Sequence, residues 1–221
     1  MSGVESRIPI IGMDREVSRQ NFLKKAAWTG AAFSAMGIGG FGIAVSRAEA
    51  QAQAYESYQG LGDAAILQFA YLLEQLEGIF YDEGVNAGLF KGAFLDQVAV
   101  IRDHEFVHAD AIATTLGQLG ADVPAVPEFT YPDGVFTDVV AFLELAATFE
   151  PVGIGAYQGA APALESKDIL AAAISIHNAE CQHRAAINIM NLVVPPNDVA
   201  FEEALPLAAV QDAVAPFGIT G

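Results

Sequence analysis

Cysteine is nearly absent from this chain. Among 221 residues only Cys181 carries a thiol. No intrachain disulfide can form, and every Cys-rich metal site is excluded, as is a rubredoxin-type electron-delivery module. Basic residues are scarce as well. Ten Lys and Arg face 27 Asp and Glu, for a net charge of -17 and a pI of about 4.3. Nothing here could neutralise a phosphate backbone, so nucleic acid is excluded as a partner. Charged residues make up only 17% against 53% hydrophobic. That composition excludes a disordered chain and a surface-charged coiled coil. What is left is an apolar, acidic, globular chain of one domain or two small ones.

The charges are unevenly spread. The segment 1–50 holds six of the basic residues (Arg7, Arg15, Arg19, Lys24, Lys25, Arg47) and only four acids (Glu5, Asp14, Glu16, Glu49). The rest of the chain has the remaining four basic residues and all the other acids. Such asymmetry points to a targeting segment ahead of an acidic mature domain, with the boundary near residue 50 (segments 1–50 and 51–221). The order of parts agrees. A basic stretch ends at Lys24-Lys25, an uncharged apolar run follows from Ala26 to Val45, and Ala48-x-Ala50 offers a small-residue cleavage site. Five glycines between Gly30 and Gly42 make the run only moderately greasy, which suits an export signal better than a spanning helix. Ser18-Arg19-Gln20-Asn21-Phe22-Leu23-Lys24 resembles a twin-arginine export signal and departs from it at Gln20. The expectation is an exported protein, periplasmic or extracellular. The alternative is an uncleaved anchor through residues 26–45, the only membrane contact expected.

The mature part reads as four helices. Ala, Leu, Ile, Glu and Gln dominate, all good helix formers. The first predicted helix runs from Asp63, a plausible cap, to about Glu83, with apolar residues recurring at three and four. The second runs from about Ala93 to Leu119 and stops at Gly120. The third starts near Thr137, a good cap, and runs past Tyr157 towards Pro162, with Pro151 predicting a kink. The fourth follows Ser166, another cap, and is stopped by Pro195-Pro196, near Val194. The first and last connections are short. The middle one, Gly120 to Phe136, is rich in Pro and could reach about 50 Å when extended. A twenty-residue helix is about 30 Å long, so this linker can cross the whole bundle. Two antiparallel hairpins joined by one long crossover is the ferritin-like connection pattern.

Two of the four histidines follow a glutamate by three residues: Glu105 and His108, Glu180 and His183. Residues three apart are neighbours on a helix surface. Each pair therefore aims one carboxylate and one imidazole in one direction, as a metal ion needs. The other two helices carry Glu74 with Tyr81 and Glu150 with Tyr157, each seven residues apart and so on a shared face. The spacing repeats: the step from Glu74 to Glu105 matches that from Glu150 to Glu180 to within a single position. The chain reads as two similar hairpins, each with Glu, Tyr, then Glu-x-x-His.

With these residues the chain resembles the ferritin-like superfamily of dinuclear metal-carboxylate proteins, most closely its desiccation-related group. Leu-Glu-Gln-Leu-Glu-Gly-Ile-Phe-Tyr (73–81) and Phe-Glu-Pro-Val-Gly-Ile-Gly-Ala-Tyr (149–157) carry the likeness, with the tail at Ala200–Leu207 and Ala215–Phe217. The resemblance covers residues 60 to 217. It implies an all-α four-helix bundle with a short C-terminal helix or tail, and a centre of two Fe or Mn ions. Glu74 and Glu150 would be terminal ligands, Glu105 and Glu180 would bridge, and His108 and His183 would each bind one ion. Four carboxylates against two divalent cations leave a neutral core. The oxygen-rich donor set suits iron or manganese over zinc or copper. Tyr81 and Tyr157 would hold the carboxylates; with Glu105 and Glu180 they are the residues on which turnover would depend.

Plainer readings stand beside these. Tyr81 and Tyr157 could be core aromatics. Glu77, one turn from Glu74, could add a ligand or not. Glu144 reads as a surface or supporting acid, His177 as a core or supporting histidine, His104 as peripheral and Cys181 as a packed thiol. In function the first expectation is a dimetal oxidoreductase, a peroxidase or catalase-like enzyme or a ferroxidase, using peroxide or O2. The alternatives are a desiccation or stress protein stapled by its metal, and an iron-storage subunit, which needs many copies. Self-association is open. Replacing Arg19 with Ala is expected to block export, measured by fractionating host cells. Native export of R19A would show that another route carries the chain.

Overall fold

The computed structural model describes the backbone of residues 40–219 and the side chains of 49–219. The chain falls into two units, Met1–Arg47 and Ala48–Gly221. The twin-arginine-like stretch, and with it the charged and apolar run leading up to residue 40, lies outside the described residues. Among the described residues there are six α-helices and no strands: α1 Gly40–Ser57, α2 Asp63–Asn86, α3 Ala93–Gln118, α4 Val139–Ala160, α5 Lys167–Met190 and α6 Leu207–Val214. Helices α2 to α5 are the four predicted ones.

They pack as two hairpins, α2 with α3 and α4 with α5, which then face each other. Residues 87–92 and 161–166 make the short connections, while 119–138 make the crossover. The crossover is tied down along its path. Gln68 Nε2 donates to Asp122 O at 2.8 Å and Tyr131 OH to Leu76 O at 3.0 Å. Thr130 N donates to Phe217 O at 3.1 Å. The last of these joins the crossover to the C-terminal 3-10 turn, Ala215–Phe217. The described part is thus an all-α bundle with a short C-terminal helix, as expected.

Two caps differ from the sequence expectation. Asp138, not Thr137, caps α4, accepting from Val140 N at 2.7 Å and Ala141 N at 3.2 Å. The Thr137 hydroxyl instead donates to Gly134 O and closes the preceding turn. Asp63 is the first residue of α2 rather than its cap. Its carboxylate accepts from Glu165 N at 2.8 Å and Ser166 N at 3.0 Å, so it ties the start of α2 to the start of α5. Ser166 caps α5 as expected. That helix ends at Met190, short of Val194, because Leu192 takes a positive φ of 60° before the prolines are reached. Helix α4 runs unbroken through Pro151, which is exposed. The ring removes a donor for Ala147 O. With its adjoining turn, α4 is long and apolar enough to cross a membrane, but half of it is buried in the bundle, as expected of a core helix.

One end of the bundle is filled by aromatics. Phe80 and Phe142 stack with centroids 4.3 Å apart, and Phe149 meets Phe217 edge-on at 4.8 Å. Each fully buried Phe contributes about 1.5–3 kcal/mol. The stack needs a glycine at position 84, since a Cβ there would overlap the Phe142 ring. Gly84→Ala is expected to lower stability by about 1–3 kcal/mol, the cost of overpacking, despite the better helix propensity of Ala. Denaturant titration measures it, and an unchanged midpoint would show that the ring has room to move.

Candidate metal centre

Helical periodicity aims the acids inward. On α2, Glu74, Glu77 and Tyr81 lie on one stripe, and on α4 so do Glu150 and Tyr157. Helix α3 adds Glu105 and His108, and α5 adds Glu180 and His183. All four predicted glutamates are buried, with Glu105 and Glu150 wholly enclosed. All six predicted donors converge. Glu74, Glu105, His108 and Glu180 bring one donor atom each within 4.8 Å of one another, and so do Glu105, Glu150 and His183. Glu105 and Glu180 lie between the two imidazoles. His108 Nδ1 is 3.0 Å from Glu180 Oε1 and 3.5 Å from Glu105 Oε2. His183 Nδ1 is 2.9 Å from Glu105 Oε1 and 3.1 Å from Glu180 Oε2.

The tyrosines act crosswise. Tyr81 on α2 donates its hydroxyl to Glu150 Oε1 on α4, and Tyr157 on α4 donates to Glu74 Oε1 on α2. They are therefore more than core aromatics. Burial, then the charges of Glu150 and Glu74 respectively, push both phenols well above their ordinary range. They stay neutral and remain donors.

Donors are too few for the acceptors. Each imidazole can present at most one N–H to the centre, from Nδ1. That of His108 is aligned on Glu74 Oε2 at 3.1 Å, and that of His183 on Glu180 Oε2. Both oxygens of Glu105, Glu150 Oε2, Glu180 Oε1 and Glu77 Oε2 are buried without an aligned hydrogen-bond donor, because the imidazoles that come near Glu105 and Glu180 Oε1 point their Nδ1 at Glu74 and Glu180 Oε2. A buried acceptor left unmade costs about 1–3 kcal/mol, and a charged one more. A cation among these oxygens removes that cost, and the six donors are of the types that divalent iron or manganese accepts. The residues present fit such a group.

Protons respond to the same shortage. Burial raises Glu74, Glu77 and Glu150 well above the usual carboxylate range, and neighbouring glutamates add to it. Burial also acts to lower the histidines, but the surrounding carboxylates win and raise His108 to about 12 and His183 to about 11. Burial would raise Glu105, yet His108 and His183 outweigh it and hold it at about 2. Without metal, two imidazolium cations partly balance the acids.

The ferritin-like domain family matches residues 62–192. This span covers the bundle from the start of α2 to just past α5. The chain belongs to the ferritin-like domain family. Comparison with curated proteins gives no match.

Two positions of this ferritin-like bundle differ from the sequence reading or sharpen it. His104, expected to be peripheral, places Nδ1 2.9 Å from His183 Nε2. Angular spacing from Glu105 pointed it away, but the facing helix α5 brings His183 to it. Glu77, left open, is buried and joins Glu150 and Glu180 within 4.8 Å. The pairing of Glu77 with Gly153 at equivalent places in the two hairpins was a usable signal for it. Glu144 is exposed. His177 packs 3.9 Å from the Cys181 sulfur, one turn away from the centre.

A pH dependence follows for the metal-free protein. Histidines raised from 6.5 give stability that is full below pH 6.5 and lost as pH climbs towards about 11–12. The raised glutamates act the same way, because their charged forms are disfavoured in the fold. Glu105 opposes them only as pH falls towards about 2. The chelator-treated protein is expected to lose thermal stability from about pH 6 to about pH 9. The gain on adding Mn(II) should grow over the same range, since binding displaces protons. A gain that shrinks with rising pH would contradict this charge balance.

Proposed function

We propose that this ferritin-like protein is exported and holds a dinuclear iron or manganese centre that reacts with peroxide, O2 or ferrous iron in stress protection. The observation that carries the reading is the set of buried carboxylate oxygens around His108 and His183 that have no aligned hydrogen-bond donor. Glu74, Glu105 and His108 would hold one ion, and Glu150, Glu105 and His183 the other, with Glu180 shared. A bound pair of such ions would supply the two electrons that, with two protons, take one hydrogen peroxide to two waters, and a second peroxide oxidised to O2 and two protons, or two ferrous ions, would return them.

The chain's own residues do the rest. Tyr81 and Tyr157 hold Glu150 and Glu74 in place across the bundle. The buried tyrosines and the apolar core around them keep bulk water from their side of the centre. A surface cavity of about 330 Å3 between α3 and α5 has His183 among its lining residues, with Gln97, His104 and Gln182. It is large enough for peroxide or O2 to reach that imidazole. The acidic mature domain favours cations around it. The likeness of 73–81 and 149–157 supports a place in the desiccation-related group, and the N-terminal charge pattern supports export.

Glu105→Ala and Glu180→Ala are each expected to lose bound metal and turnover of peroxide and ferrous iron together. Tyr81→Phe should lower metal affinity or turnover about 10–100-fold. Metal analysis and both assays on protein from its own host test this. Two metals bound by Glu105→Ala would refute the ligand set. Full occupancy without turnover would leave a structural metal instead, and a closed shell of many subunits on native mass would indicate storage.

A further inference from the structure

The two hairpins repeat with a nearly constant shift along the chain. One and the same step carries Glu74 to Glu150 and Tyr81 to Tyr157, and a step shorter by a single position carries Glu105 to Glu180 and His108 to His183. Under that shift Glu77 corresponds to Gly153 and His104 to Ala179. The repeat is therefore broken at two positions close to the centre.

Both breaks fall on the same half. Glu77 stands with Glu150 and Glu180. Its space exists because position 153 is glycine: a Cβ there would lie 3.0 Å from Glu77 Oε1. Glu77 is 6% exposed, and its Oε2 is buried with no donor. A buried carboxylate in that state calls for a cation. His104 meets Nε2 of His183 at 2.9 Å. A cation at Nδ1 of His183 leaves its proton on Nε2, which then donates to His104 Nδ1 and fixes the ring. His108 has neither support. Among the described residues its polar contacts all run through Nδ1.

We propose that the two metal positions are inequivalent: the one at Glu150 and His183 has Glu77 as an additional carboxylate ligand and His104 as a positioning residue, so it fills first and binds more tightly. Affinity rises with the number of charged ligands and the rigidity of the site. A partner that orients a ligating histidine is worth about 10–100-fold in affinity. The Glu74 and His108 position then takes the second ion. This rests on the dinuclear reading above and adds an order of loading to it.

The test is titration of the metal-free full chain with Mn(II), followed by calorimetry and by the electron paramagnetic resonance of free and bound Mn(II). The native protein should bind in two steps, the first about 10–100-fold tighter. Glu77→Gln keeps the shape of a neutral acid but cannot supply charge, and it should weaken the first step while leaving the second. His104→Ala, on the exposed side, should do the same through the histidine and keeps the test alive if Glu77→Gln fails to fold. Glu74→Gln should weaken the second step only. Equal filling of both positions, or a Glu77→Gln isotherm like the native one, overturns the inequivalence and leaves the dinuclear centre standing. No binding of Mn(II), Fe(II) or Co(II) by the native chain overturns both.

Discussion

Five carboxylates meet at the middle of a hydrophobic bundle: Glu74, Glu77, Glu105, Glu150 and Glu180, all buried. The nearest donors are two imidazole N–H groups and two phenols. An uncompensated charge in such a place costs several kcal/mol, and a whole domain is stable by only about 5–15 kcal/mol. The rest of the structure is arranged around that imbalance. Helix lengths, the crossover and the tail keep the four helices in the register that brings the acids together, and protons or cations supply the missing charge.

The surrounding scaffold resists the repulsion at several fixed points. Phe80 and Phe142 stack at one end, and Asp63 joins the starts of α2 and α5. Asn191 Nδ2 donates to Leu143 O at 2.9 Å, and Arg184 reaches Glu202 at 2.7 Å, tying α5 to α4 and to the tail. Tyr81 and Tyr157 couple the two hairpins directly through the acids they hold. A bundle secured in this way can keep a strained set of charges in place instead of opening to hydrate them. That is the condition for a rigid site.

Much of this was legible in the chain. Four helices, their pairing and the long crossover follow from apolar spacing, caps and prolines. The six donors follow from two Glu-x-x-His pairs and two Glu–Tyr pairs, because a side chain's face on a helix depends only on position along it. Less legible were residues whose role depends on a neighbouring helix. His104 points away from Glu105 on its own helix and meets His183 only because α5 packs alongside. Asp63 resembles a cap in sequence and serves as a tie between helices.

Sequence alone determined the periodicity, hence which residues share a stripe, and the charge imbalance that demands compensation. Tertiary structure decided which stripes face each other, which tyrosine holds which carboxylate, and that Glu77 lies in the space left by Gly153. The physical reason is range. Helical facing is a local property of a few successive residues. Packing across a bundle joins positions as remote along the chain as Tyr81 and Glu150, and no local pattern records the distance between them.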